Sequence, residues 1–194
     1  MTAGATEPTR SDARRNVRAI VDAAARALAS DPGTPMAEIA EAAGVHRATL
    51  YRHFPAREDL IAALHRRAVE EAEAAVVASR TEEGSAIEAL GRVVEALAAV
   101  GDRYRMLVHE AGKDPSMKDD EDRLGALLIA LVERGKAEGS LRPDLDPLWT
   151  LQAMVGMLLA ALERVAAGTL EAPEVPTMVM SVLLDGIRAP GPTA

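Results

Sequence analysis

The sequence predicts an all-α protein of about nine helices, and composition supports this. Hydrophobic residues make up 48% of the 194 residues, whereas aromatic residues make up only 2%. Long Ala-rich and Leu-rich stretches carry apolar residues at helical spacing, and signals for strands are weak. The chain contains no cysteine, which excludes disulfides and thiolate metal sites and fits a reducing cytoplasm. We therefore expect a helical, cytoplasmic protein.

Charge and composition divide the chain into parts. Residues 1–12 are small, polar and proline-containing, which predicts a disordered tail. Residues 1–60 carry 8 basic and 8 acidic side chains, so the remaining 14 basic and 22 acidic side chains place the whole net charge of -8 in residues 61–194. An acidic body discourages indiscriminate binding to nucleic acid, so any such contact is expected at one end of the molecule.

Residues 13–60 predict three helices. The first covers about residues 13–30. Thr34 is the expected N-cap of the second helix, Pro35 its first residue, and Gly44 its left-handed C-terminal residue. The third helix begins soon after and ends before Pro55. Two short helices with so few residues between them indicate a helix-turn-helix, whose second helix enters the DNA major groove.

The residues around the predicted third helix are basic. Residues 44–57 contain three arginines and two histidines and no acid, which favours contact with phosphate. The alternative is that this face is only solvated, and that the apolar residues beside it form the core of a three-helix domain. The sequence alone leaves both interpretations open for each side chain.

Residues 38–60 follow the pattern EIA..AGV...TLY.HF...E.L. With the Ala-rich helix before it, this pattern resembles the DNA-binding region of the TetR family of bacterial transcriptional repressors, over about residues 13–61. The resemblance implies that base edges are contacted by Arg47, Ala48 and Thr49. It implies that phosphates are contacted by Thr34, His46, Tyr51, Arg52, His53 and Arg57. His46 stands where the family often has a capping residue, and Arg52 could face solvent instead.

Residues 61–194 are expected to form a regulatory domain for ligand binding and dimerisation. Beyond the third helix, a long helix over about 57–79 is followed by a capping box formed by Ser85 and Glu88. Further helices are predicted at about 85–101, 102–111, 124–139, 148–162 and 176–188.

The segment 148–162 is almost entirely apolar. It is shorter than the roughly 20 residues that span a bilayer, so we expect burial by protein on all sides and no membrane partner. Its surplus of apolar surface indicates a second subunit. The resemblance implies a dimer interface made by the last two helices of each subunit. The residues assigned to it are Ala153, Gly156, Ala160, Val179, Val182 and Leu183.

The resemblance also implies a cavity for a small-molecule effector among the middle helices. The candidates for lining it are Met106, His109, Trp149, Met154 and Met157. Flexible methionines suit irregular apolar ligands, although the same residues at helical spacing are more often plain core.

Catalytic patterns are not evident in the sequence. His109 and Glu110 begin a zinc-protease pattern, but Lys113 stands where its second histidine is needed. We therefore expect no catalytic residues, no metal and no cofactor.

The function implied by the resemblance is a homodimeric repressor that leaves a palindromic operator on double-stranded DNA when an effector binds. An activator or a ligand-independent regulator is the main alternative. A helical adaptor that binds another protein is a weaker one, and an enzyme with an appended head is the weakest.

Overall fold

The structure is a computed structural model that describes residues 10–104 and 118–187, and in these ranges the regular elements are helices. The eight α-helices are α1 (Arg10–Ser30), α2 (Met36–Ala42), α3 (Arg47–His53), α4 (Arg57–Ala78), α5 (Ala86–Arg103), α6 (Lys118–Ala137), α7 (Pro147–Ala166) and α8 (Val175–Ile187). A single 3-10 turn, Ala172–Glu174, precedes α8. The all-helical prediction is confirmed, and most of the helix predicted at 102–111 lies outside the described residues.

The chain forms two compact units, Met1–Leu64 and His65–Ala194. The boundary falls inside α4, a few residues after the predicted one. The first two turns of α4 belong to the first unit, and they contain two fully buried residues, Leu60 and Leu64. Helix α4 therefore contributes residues to both units.

The turn between α2 and α3 is fixed by backbone hydrogen bonds. Gly44 has a φ of +68°, which a side chain would disfavour. The amide of Gly44 donates to the carbonyl of Glu41 at 2.9 Å, and that of Val45 donates to the carbonyl of Ala40 at 3.0 Å. This Schellman arrangement ends α2 as predicted. The chain is then positioned to begin α3 at Arg47.

The predicted start of α2 was wrong by one residue. Helix α2 begins at Met36, and Pro35 occupies the N-cap position with no side-chain cap bond. The hydroxyl of Thr34 instead donates to the carbonyl of Asp31 at 2.7 Å. Because this hydroxyl satisfies the preceding turn, it is not used to cap α2.

The start of α5 is capped twice. The predicted capping box between Ser85 and Glu88 is confirmed. In addition, the carboxylate of Glu138, just after α6, accepts a hydrogen bond from the Ala86 amide at 2.6 Å. Hydrogen bonds lower both carboxyl pKa values, chiefly from Ser85 for Glu88 and from Ser140 for Glu138. The N-terminus of α5 is thus held by the end of α6.

The C-terminus of α5 differs from the prediction. Gly101 was expected to end the helix, but α5 continues to Arg103. A Cβ at Gly101 would lie 2.4 Å from Cδ1 of Leu162 in α7. This glycine therefore lies inside the helix and permits the close approach of α7.

Helix α7 is longer than predicted. Asp146 caps it by accepting a hydrogen bond from the Trp149 amide at 2.6 Å. The helix packs against α5, α6 and α8, yet Gly156 and Ala160 are exposed. The single chain therefore leaves one side of α7 uncovered, and the predicted burial on all sides would require the second subunit. Within the described residues, α7 has the length and composition to cross a membrane, a test that core helices of soluble proteins also pass.

We expect Gly135→Ala to destabilise the second unit. An added Cβ would lie 2.6 Å from Cγ of Leu141 and 2.9 Å from Cβ of Ala86, and both neighbours are fully buried. Overpacking of about 1–3 kcal/mol should outweigh a gain in helix propensity of about 1 kcal/mol. The measurement is the free energy of unfolding in urea.

Gly91→Ala is the matched control, because a Cβ there meets nothing within 4 Å. It should raise the free energy of unfolding by about 1 kcal/mol. Equal stabilisation by both substitutions would contradict the close packing around Gly135.

Candidate functional site

Helix α3 turns one side inward and leaves the other exposed. Leu50 and Phe54 are buried, and their burial anchors the helix to the core of the first unit. The opposite side presents exposed side chains close together. These are Arg47, Ala48, Tyr51 and Arg52, with Thr49 partly buried beside them. All three residues predicted to face base edges therefore lie in the first turn of one exposed helix.

The beginning of α3 has no side-chain cap. His46 has the extended backbone of an N-cap residue, but its side chain forms no cap hydrogen bond. The side chain is exposed. As the sequence indicated, His46 does not perform the capping role that a serine would perform there. Its imidazole remains at the surface next to Arg47.

A basic groove connects α1 with the end of α3. The groove has a volume of about 750 Å³ and is lined by Ala13, Arg14, Arg15, Val17, Arg18 and His53. Nε2 of His53 is buried and has no hydrogen-bond partner among the described residues. Arginine and imidazole donors suit the oxygens of a phosphate group. Sequence reasoning identified the basic side chains but not that the fold places His53 beside α1.

Two residues predicted to contact phosphate bind each other instead. The guanidinium of Arg57 donates to the carbonyl of Thr34 at 2.7 Å and also to the carbonyl of Pro32. The Thr34 side chain is buried, with only 8% of the residue exposed. Arg57 therefore fastens the first turn of α4 to the connection between α1 and α2. Neither residue is a free surface ligand in this structure.

The second unit contains an apolar cleft of about 190 Å³. Helices α4, α5, α6 and α7 each contribute to its walls. The lining residues are His65, Ala68, Val69, Ala72, Leu97, Val100, Gly101, Tyr104, Leu124, Leu128, Val155, Leu158, Leu159 and Leu162. An apolar cleft with a few polar groups is the usual form of a small-molecule site.

None of the described residues that were predicted to line an effector cavity is among the lining residues of this cleft. Met106 and His109 are outside the described residues. Trp149 is 70% exposed on α7, and Met154 is buried at a smaller gap beside Thr150 and Leu183. Met157 is partly buried against the core.

Sequence reasoning missed His65 and Tyr104 as lining residues. The available signal was the apolar face of α5, since Leu97, Val100 and Tyr104 recur at helical spacing. That spacing places Tyr104 on the face that the cleft uses.

A polar cluster borders the cleft at the end of α5. The Tyr104 hydroxyl donates to Oε1 of Glu71 on α4 at 3.1 Å. The same carboxylate pairs with Arg103 and Arg67, each at 2.9 Å. Burial, followed by the negative charge of Glu71, raises the pKa of Tyr104 to about 12. The phenol therefore keeps its proton near neutral pH.

The residues predicted for the dimer interface fall into two groups. Gly156 and Ala160 are exposed on α7, and Val182 on α8 is 62% exposed. Val179 and Leu183 are instead 2% and 4% exposed within the core of their own chain. The prediction was wrong for these two residues, because they occupy the inner side of α8. Ala153 is partly buried.

The exposed side of α7 forms a continuous strip. Trp149, Gln152, Gly156 and Ala160 are all exposed and recur at spacings of three or four residues. Trp149 therefore lies on the same strip as the two small residues and away from the cleft.

An exposed basic helix-turn-helix joined through one helix to a separate helical unit is the arrangement of a DNA-binding regulator. Residues 20–64 match the family model described as bacterial regulatory proteins, tetR family. The chain is 30% identical over 175 residues to the HTH-type transcriptional repressor LfrR of Mycolicibacterium smegmatis, covering 89% of this chain and 90% of that protein.

Solved structures agree with this assignment. The structure of LfrR from Mycobacterium smegmatis in complex with proflavine matches with a TM-score of 0.74 and 28% identity, over 91% of this chain and 99% of that one. A TetR family regulator from Marinobacter aquaeolei VT8 shares the fold with a TM-score of 0.68 and 23% identity, over 94% and 100% of the two chains. The chain belongs to the TetR family and is a DNA-binding transcriptional regulator.

We expect Arg57→Ala to lower the free energy of unfolding by roughly 1–3 kcal/mol, because two carbonyls lose a charged hydrogen-bond donor. Arg52→Ala is the control, since Arg52 is exposed on α3 and its removal should leave stability within about 0.5 kcal/mol. Chemical unfolding of both variants is the measurement. A stability of Arg57→Ala equal to that of Arg52→Ala would show that the bonds to Pro32 and Thr34 contribute nothing.

Proposed function

We propose that this regulator is a cytoplasmic homodimeric repressor that leaves its operator when a small, mainly apolar molecule enters the cleft. The observation that carries this proposal is the course of α4. Arg57 begins α4 in the first unit, and His65, Ala68, Val69 and Ala72 of the same helix form one wall of the cleft in the second. The relative LfrR is a repressor, and it has been solved in complex with proflavine.

The exposed start of α3 supports a division of labour on DNA. Arg47 is the expected bidentate reader of a guanine, and the methyl groups of Ala48 and Thr49 are suited to thymine. Tyr51, Arg52, His46 and His53 are assigned to phosphates, which fix register without reading sequence. His53 would do so together with the α1 arginines of the basic groove. Two heads would enter successive major grooves of a palindromic operator.

Arg57 and Thr34 have a different proposed part in this arrangement. Since the Arg57 guanidinium binds the carbonyls before α2, we assign it to positioning the helix-turn-helix on α4. Its charge still adds to the basic character of residues 44–57. A phosphate would meet the backbone near Thr34 and not its buried hydroxyl.

The proposed mechanism is a population shift. An occupant of the cleft presses on the wall formed by α4, and the start of that helix moves with it. The two heads of the dimer then no longer match the spacing of the operator half-sites, and occupancy falls. A ligand that binds equally well to both arrangements would release nothing, so differential binding is required.

The repressor proposal is tested with DNA from upstream of the chain's own gene and a scrambled duplex of equal length. Tight, salt-sensitive binding to the first duplex, with two subunits per site, is expected across a salt series. Addition of 2-naphthol as an apolar probe should lower that affinity. Equal, weak binding to both duplexes would contradict sequence-specific regulation at this site. Unchanged affinity at saturating probe would contradict release through the cleft.

An activator is the second candidate function. Transcription in vitro from the bound promoter separates the two. Addition of the protein should reduce the amount of transcript if it is a repressor.

Because members of this family are regulators, we propose that the chain acts through binding and without catalysis.

We expect Arg47→Ala to relax specificity at one base pair of each half-site. Loss of a bidentate contact to guanine should cost about 1–3 kcal/mol for the preferred base and little for the others. Arg52→Ala is the matched control and should weaken all sequences similarly, with a lower salt slope. The measurement is affinity for a set of single-base operator variants. Identical profiles for the two variants would remove this division of labour.

We expect Val182→Arg to convert the dimer into monomers, because it places a charge in the proposed apolar interface of α7 and α8. Val77→Arg is a closely matched control. Val77 lies on α4 and is 63% exposed, against 62% for Val182. Sedimentation equilibrium measures the mass of both variants. A dimer that survives Val182→Arg would place the interface elsewhere.

A further inference from the structure

The cleft in the second unit has an uneven chemical lining. Of the fourteen lining residues in the described part of the chain, twelve are apolar or glycine, and the two polar ones are His65 and Tyr104. His65 is buried and already has a partner in the protein. Among the described polar lining residues, Tyr104 is therefore the one whose hydrogen-bond partner is known, so the donors and acceptors that it has left for a ligand can be counted.

The Tyr104 hydroxyl has its proton committed. It donates to Oε1 of Glu71 at 3.1 Å, and the residue is only 5% exposed. A phenolic oxygen that donates once still has lone pairs that accept. Tyr104 is a lining residue of the cleft. A molecule there that reaches the phenolic oxygen meets an acceptor, so the matching group on the molecule is a donor.

Within the described residues, the charges of the cluster beside the cleft are already paired. The Glu71 carboxylate binds Arg67 and Arg103 at 2.9 Å each, and Arg67 also pairs with Glu70 at 3.7 Å. Two carboxylates and two guanidiniums leave this cluster with no net charge to neutralise an ionic group brought in by a ligand. Because an unpaired ion in an apolar site is costly, an uncharged occupant is favoured.

The size of the cleft limits the occupant as well. A cavity of about 150 Å³ lined by aliphatic side chains accepts benzene, and this cleft measures about 190 Å³. A compound of one or two rings, or an aliphatic chain of similar volume, fits these dimensions.

We propose that the Tyr104 hydroxyl is the specificity-determining group of the cleft and that the effector is an uncharged apolar compound with one hydrogen-bond donor. This rests on the proposed function, in which the cleft holds the effector. Bound there, the donor of the ligand meets the phenolic oxygen, and that oxygen is attached through its proton to Glu71 on α4. One hydrogen bond thereby links the group that contacts the ligand to α4, the helix that runs from the cleft into the first unit.

The test uses a pair of probes that share a ring system. 2-Naphthol carries a donor and an acceptor, whereas 2-methoxynaphthalene has the same rings and oxygen without the donor. Titration calorimetry on the DNA-free full chain should give roughly three- to tenfold tighter binding of 2-naphthol, the value of one net hydrogen bond. 2-Naphthoate, which is charged, should bind more weakly than either.

Tyr104→Phe keeps the ring in the lining and removes the hydroxyl, so the preference for 2-naphthol should disappear. Glu73→Gln is the control. It breaks the pair between Glu73 of α4 and Arg123 of α6 without touching a lining residue, and the preference should persist. The comparison of the two probes on the unmodified chain does not depend on whether Tyr104→Phe folds.

Equal affinity for the two probes, preferred binding of the naphthoate, absence of binding, or a preference that survives Tyr104→Phe would each overturn the inference. Failure of the proposed function has a different signature. If 2-naphthol is preferred through Tyr104 but operator affinity does not change, the role of Tyr104 in ligand recognition is upheld and release of the operator by the ligand is rejected. If the probes release the operator but show no preference that depends on Tyr104, release is upheld and the role of Tyr104 is rejected.

Discussion

One uninterrupted helix, α4, constrains the whole molecule. Its 22 residues span roughly 33 Å and contribute to two units that are otherwise built from different helices. A continuous backbone hydrogen-bond ladder does not bend freely, so a force on one part of α4 is passed to the rest. In the proposed mechanism, this stiffness is what would carry a displacement at the cleft to the start of α4.

Besides its buried apolar residues, α4 has polar attachments at two places. At its start, the Arg57 guanidinium binds carbonyls of the connection before α2. In its later turns, Glu71 joins Tyr104 and Arg103 of α5. Hydrogen bonds and ion pairs are directional, and exchanging one partner for another costs little free energy. Apolar packing is not directional, and rearranging it costs more. In the proposed recognition, a ligand that donates to the Tyr104 oxygen leaves the bond to Glu71 in place and so acts directly on the link between α5 and α4.

Helix α7 shows how one segment serves two surfaces. Its inner side completes the core through Met154, Leu158 and Leu162. Its outer side combines Trp149 with Gly156 and Ala160, and small residues let another helix approach closely. Such a strip exposes apolar area that a single chain leaves in water, which favours association with a second subunit. The acidic charge of the body opposes association with other, nonspecific surfaces.

The sequence by itself determined the features that depend on neighbouring residues. The all-helical class, the Schellman turn at Gly44, the capping box of Ser85 and Glu88 and the exposed start of α3 each follow from residues within a few positions of one another. Local hydrogen bonding and side-chain periodicity are encoded at that range. The family resemblance added the domain arrangement, which local patterns do not specify.

Only the tertiary structure decided which partner each side chain meets across the fold. Trp149 and Tyr104 are both aromatic residues on apolar helices, yet one is exposed and the other borders the cleft. Val179 and Val182 are three residues apart on α8, but the first is buried and the second exposed. Arg57 was expected at a phosphate and is found on two backbone carbonyls. The reason is physical: helical periodicity defines the faces of a helix, but only the packing of distant helices determines which face is covered.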